Sequence, residues 1–122
     1  MKIAVPFLLI VLLACSGCGK KEVFDIRGAW SFGADGQELY AFSFEGSLEN
    51  GTLTEARSGN LTGTYTVADK EVAFDFISTM TGGPSGRFQG VFTAETQMSG
   101  NLTITAPYPP FTWTVPVEGR KR

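Results

Sequence analysis

The chain has 122 residues, with 10 basic side chains against 12 acidic ones and no histidine. A chain of that length holds one domain, and a net charge of −2 leaves no electrostatic footprint for nucleic acid. With histidine absent, the commonest general base, metal ligand and physiological pH switch are missing together.

Residues 1–14 read as an export signal. Lys2 gives a positive start, Ile3 to Leu13 is apolar with Pro6 as its one interruption, and the small residues Ala14, Cys15, Ser16 and Gly17 follow. The apolar run is too short to cross a ~30 Å hydrocarbon layer as a helix. Leu12-Leu13-Ala14-Cys15 resembles the lipobox of bacterial lipoproteins. That resemblance implies a diacylglycerol on the Cys15 thiol, a cut just before Cys15, and a membrane-anchored envelope protein. Cys18, preceded by Ser16 and Gly17, is the alternative lipid site. An ordinary signal peptide with an incidental cysteine is the competing reading. Ser16 in place of an Asp after Cys15 implies the outer membrane, facing the periplasm, if the organism is Gram-negative. Residues 15–22 would form a lipidated tether, and residues 23–122 the domain.

Both cysteines fall before the domain, so the domain has neither a disulfide nor a thiolate metal site. Cutting before Cys15 would leave 108 residues with 9 basic and 12 acidic groups. Two or more acyl chains at one residue hold a protein stably to a membrane.

From Phe24 onward the apolar residues alternate with period two, and turn residues interrupt them every eight to twelve positions. Phe24, Ile26, Gly28, Trp30 and Phe32 share one face, and Asp35-Gly36 turns the chain. Tyr40, Phe42 and Phe44 follow, opposed by Leu39, Ala41 and Ser43, and Asn50-Gly51 reads as the next turn. A short strand at Leu53 comes third, and Leu61, Gly63, Tyr65 and Val67 make the fourth. Val72, Phe74 and Phe76 lead through a Gly82-Gly83-Pro84 loop to Phe88, Gly90 and Phe92. Met98, Gly100, Leu102 and Ile104 form the seventh set, and Phe111, Trp113, Val115 and Val117 the last.

Eight short strands with one apolar face predict an all-β domain, an eight-stranded antiparallel up-and-down β-barrel; a two-sheet β-sandwich is the alternative. The strands read as six to nine residues, short of the ~9–11 that a membrane-crossing strand needs.

Gly28-Ala29-Trp30 resembles the Gly-x-Trp that opens the lipocalin and avidin-like barrels. The resemblance implies that Trp30 closes one end of the barrel and that a basic residue near the end of the last strand lies across its ring. Arg120 is the expected partner, with Arg27 as its competitor. The C-terminal helix of lipocalins is not readable here. Gly63-Thr64-Tyr65-Thr66 and Gly86-Arg87-Phe88 look like strands of short lipocalin-like domains in bacterial lipoproteins.

Inward glycines at 63, 90 and 100 could leave a cavity lined by Phe42, Phe74 and Phe92 for a small apolar ligand. They could equally let the sheet coil around a filled core. The loop carrying Tyr108, Pro109 and Phe111 is the expected rim for gripping an envelope partner. No catalysis is expected: Asp75 has outward parity, and Ser78, Ser85 and Ser99 have no readable base. Nor does a helix follow Gly82–Gly86 to cradle a phosphate. No cofactor or metal is implied, and the expected state is a monomer. The function so predicted is that of a membrane-anchored barrel holding an apolar ligand or an envelope protein. The alternative is a filled structural or interaction barrel.

Overall fold

The computed structural model describes residues 23–107 and 109–122; the expected signal and tether with Cys15 and Cys18, and Tyr108, lie outside the described residues. Eight strands follow in order: β1 (Gly28–Ala34), β2 (Gln37–Gly46), β3 (Asn50–Glu55), β4 (Leu61–Ala68), β5 (Glu71–Ser78), β6 (Ser85–Ala94), β7 (Gln97–Pro107) and β8 (Pro110–Lys121). Each pairs antiparallel with the next, and β8 returns to β1, so the sheet is a closed up-and-down barrel. β6, β7 and β8 have 10, 11 and 12 residues, longer than the alternation suggested.

Turn chemistry explains several connections. Asp35 and Gly36 take φ values of 51° and 79°, the left-handed pair that a two-residue hairpin needs. Asn50-Gly51, in contrast, is not a turn but the start of β3. The turn lies one step earlier, where the Ser47 hydroxyl accepts from the Glu49 and Asn50 amides at 3.2 and 3.1 Å and donates to the Asn50 carbonyl. Phe24 and Ile26 also fall outside their predicted strand, since β1 begins only at Gly28.

One bulge re-aims a charge. Phe32 faces Tyr40, yet Gly33 faces Glu38, so Leu39 is the extra residue in β2. The slip takes Glu38 out of the inward parity of Tyr40, Phe42 and Phe44. Outside, its carboxylate accepts from the Ser31 hydroxyl at 2.6 Å and pairs with both Arg57 and Arg122. It thereby ties the C terminus and the loop after β3 to β2. Ala41, expected on the open outer face, is buried opposite Ser31 in the row beside this cluster.

The interior is a stack of phenyl rings. β1 and β5 lie on opposite sides of an eight-stranded ring, yet Phe32 and Phe74 approach to 5.3 Å between centroids. Phe42 and Phe44 reach Phe74 at 5.6 and 5.3 Å, and Phe88 stacks on it at 4.9 Å. Such offset and edge-on pairs add about 0.5–1.5 kcal/mol each beyond the area they bury. The outer face carries Thr52, Thr54, Thr62, Thr64 and Asp75. That is the reverse of a membrane-crossing barrel, whose apolar face points outward.

Glycine makes room for these rings. Gly51, Gly86 and Gly119 sit directly across the ladder from Tyr65, Phe76 and Phe32. A β-carbon at any of the three would lie only 2.3–2.6 Å from a side-chain atom of that aromatic residue. The ring therefore lies down over the glycine rather than standing beside another side chain.

Candidate functional site

The two ends of the barrel differ. One end is closed. The Trp30 ring is fully buried there, its Nε1 donates to the Ile26 carbonyl at 2.7 Å, and Phe24 stacks on Phe92 at 4.9 Å. Phe92 in turn meets Trp30 edge-on at 5.9 Å. The segment before β1 thus forms the plug together with Trp30. Asp25 and Arg27 make a two-pronged ion pair, both bonds 2.9 Å. Those hydrogen bonds hold the Asp25 carboxyl down at about 2.

The basic residue over the tryptophan is Lys121, not Arg120. Its Nζ lies 5.9 Å from the Trp30 centroid and donates to the Asp25 carbonyl at 2.9 Å. The reason is parity. Trp30 faces Lys121 across the β1–β8 ladder, whereas Arg120 faces Ser31 on the outside and reaches Glu118 at 3.5 Å. Arg27, the competitor, is committed to Asp25. Lys121→Gln should therefore lower stability by about 1 kcal/mol or more, within the range of cation–π contacts, and Arg120→Gln by under about 0.5 kcal/mol. Urea unfolding of the two variants checks this order.

The three rings expected to line a cavity do not border one together. Phe42 and Phe74 belong to the ring stack across the axis, and Phe92 belongs to the plug; all three are at most 3 % exposed. The inward glycines do not open space either. A β-carbon at Gly63 would fall 1.7 Å from the Asp75 carbonyl oxygen, and one at Gly100 would fall 2.5 Å from the Gly90 Cα. The Phe88 ring covers Gly90. These glycines let neighbouring strands close in, and the Phe32, Phe42, Phe74 and Phe88 rings meet one another across the interior.

At the other end stand the turn between β1 and β2, the loops after β3 and β5, and the β7–β8 hairpin. Tyr40 is half-buried at this mouth, stacked on Phe42 at 5.7 Å and tilted against Phe76 at 5.4 Å. Burial, then the nearby Glu55 charge, raises its hydroxyl above the ordinary tyrosine value. Burial pushes Glu55 up as well, but the Ser58 amide and hydroxyl, each 2.7 Å from Oε1, outweigh it and leave the carboxyl below its usual range. That carboxylate caps a loop and is not poised as a base. Among the described residues, no three His, Cys, Asp or Glu side chains come together to hold a metal.

The mouth is crowned by exposed aromatic rings. Phe111 is 57 % and Trp113 42 % exposed, and they stack on each other at 5.3 Å. Every other Phe and Trp among the described residues is buried. Trp113 was expected in the core. It keeps the inward parity, opposite Ile104, but sits beyond the end of β1, where among the described residues β8 pairs with β7 alone. β8 meets β1 from Glu118 to Lys121, so among the described residues Pro110 to Val117 has a ladder neighbour on the β7 side alone. Beside it a groove of about 820 Å³ runs between the β1–β2 turn and β8, bordered by Asp35, Gln37, Asn101, Pro116, Glu118 and Arg120. The described part of the rim offers aromatic surface.

Compared with protein-family models, curated proteins and solved structures, the chain finds no match.

Proposed function

We propose that this protein is a lipid-anchored envelope barrel that works by surface contact at its open rim rather than by carrying a ligand inside. The observation that carries the reading is the pairing of a filled interior with an exposed aromatic rim. Phe32 and Phe74 touch across the axis, while Phe111 and Trp113 stand in solvent. Exposed rings of this kind are favoured where partners dock, because they bury large area at low entropy cost. The Leu12-Leu13-Ala14-Cys15 segment supports attachment at Cys15, with Cys18 as the alternative site. Likeness to the lipocalin-like barrels is supported by the closed eight-stranded meander and by Trp30 at its plugged end.

A photo-crosslinking side chain placed at position 111 of the full chain tests this in intact cells. A discrete protein adduct is expected from position 111 and none from Val91, an exposed residue on the outer wall. No adduct from position 111, together with saturable uptake of an apolar probe, would overturn the rim reading.

A further inference from the structure

From Pro110 to Pro116 the chain runs Pro, Phe, Thr, Trp, Thr, Val, Pro, so that about Trp113 threonine mirrors threonine and proline mirrors proline, and Phe111 mirrors another apolar residue, Val115. This stretch is the part of β8 whose second edge has no ladder partner among the described residues. The Arg122 amide donates to Ala29 before β1's middle, and the Lys121 amide donates to Thr96 on the β7 side. The β7–β8 register is unbroken from Arg120 back to Pro110. The backbone groups of even-numbered residues therefore point away from β7. Beyond Glu118 these are Pro116, Thr114, Thr112 and Pro110. Proline has no N–H, so the open edge presents two donors, those of Thr112 and Thr114, with a proline on each side.

We infer that this edge pairs antiparallel with the same edge of a second copy, about a two-fold axis at Trp113. In that register Thr112 faces Thr114 of the second copy, and Thr114 faces its Thr112. Each pair exchanges two backbone hydrogen bonds. Pro110 then meets Pro116 of the second copy at either end, so the ladder stops after four bonds and cannot lengthen. On the inner face Trp113 meets its own copy and Phe111 meets Val115. On the outer face threonine meets threonine, the pairing that β7 and β8 already use, with Thr103 and Thr114 hydroxyls 2.9 Å apart and Thr105 and Thr112 hydroxyls 3.2 Å apart.

The lack of charge and the near two-fold pattern of the strip favour a second copy as the occupant. Pro110 to Val117 carries no charged side chain, so self-pairing sets no like charges opposite each other. Both copies use the same edge about the two-fold axis, which closes the assembly as a dimer. A seven-residue strip is roughly 24 Å long at ~3.4 Å per residue. It buries less than the roughly 1,200 Å² of a stable standard interface, so the dimer is weak and concentration-dependent. This departs from the monomer expected from the sequence. It rests on the rim as the working surface and does not require the lipid anchor.

Disulfide trapping tests it on the full chain in detergent, with Cys15 and Cys18 replaced by Ser. Across the axis, residue 113 forms a non-hydrogen-bonded pair with Cα atoms ~4.5 Å apart, within disulfide reach. Trp113→Cys should cross-link to a dimer at least about ten times faster than Thr105→Cys, whose copies stand three strands apart at ~4.8 Å per strand. Thr114→Pro removes the outward N–H and the exposed hydroxyl contact with Thr103, so the barrel should stay folded with its melting temperature lowered by a few degrees at most, while the Trp113→Cys cross-link is lost. Should that variant unfold, the double variant Thr112→Cys/Thr114→Cys decides, since it must cross-link where each single variant does not. Trapping at 113 no faster than at 105, or a ladder of trimers and longer species, would overturn the inference. If the probe at position 111 yields an adduct heavier or lighter than two chains, self-pairing falls while the rim reading stands.

Discussion

Phe32→Ala should cost this barrel about 3–5 kcal/mol, the range for deleting a buried aromatic side chain. Phe32 is the ring that most others lean on. It lies within 5.3–6.4 Å of Trp30 on its own strand and of Phe42, Phe44, Phe74 and Phe88 on three others. Its own ring also covers Gly119, so truncation strips the cover from a backbone that has no side chain to replace it. The surrounding strands are tied into a closed ladder and cannot collapse inward to fill the gap. Urea unfolding measures the loss as a lower midpoint at unchanged slope. A loss below about 1.5 kcal/mol would mean that the centre of the barrel is already loosely packed.

Tyr65→Asp should be more damaging still, while Thr64→Asp one residue away should be mild. Tyr65 is 1 % exposed, rests edge-on against Phe44 at 5.6 Å, and its hydroxyl donates to the Ser47 carbonyl at 2.6 Å. Burial raises that hydroxyl above the usual tyrosine range, so the site already disfavours a negative charge. An aspartate there either carries an unpaired charge among rings or takes up a proton to avoid it, and both routes cost several kcal/mol. It also abandons the turn carbonyl of Ser47 and uncovers Gly51. Thr64 is exposed on the outer wall between Thr52 and Asp75. A second carboxylate beside Asp75 adds repulsion of a few tenths of a kcal/mol. Circular dichroism and urea titration of the two variants would show the contrast, and the opposite order would put the rings on the outside.

The alternation of rings with threonine was enough to count strands and assign faces, because each strand's two faces differ sharply in chemistry. The barrel's closure followed from the same pattern. What alternation could not carry was anything decided by a neighbouring strand. Gly90 and Gly100 read the same whether they open a cavity or let two strands close in, and only the cross-strand register distinguishes these. The bulge at Leu39 flips Glu38, and the glycine that marks it, Gly33, lies on the partner strand, where only the register connects the two. Arg120 looked suitable for the tryptophan by chemistry, although continuing the inward set of Val115, Val117 and Gly119 by two residues leads to Lys121.

The rim was half legible. Phe111 stood out as part of a proline-rich loop, and the structure leaves it exposed. Trp113 did not, because its parity is inward and parity says nothing about where the neighbouring strand stops. β1 parts from β8 at Glu118, and that single fact turns a core tryptophan into a surface one. The same fact leaves the edge between Pro110 and Pro116 open.

A titration of the full chain, held in detergent, with an apolar fluorescent probe examines the filled interior most directly. The native chain should show no saturable uptake, and Phe32→Ala should gain it, since a dry apolar cavity of benzene size binds small apolar molecules. Saturable binding by the native chain that is weakened by truncating Phe74 would contradict a filled barrel and restore an internal ligand site.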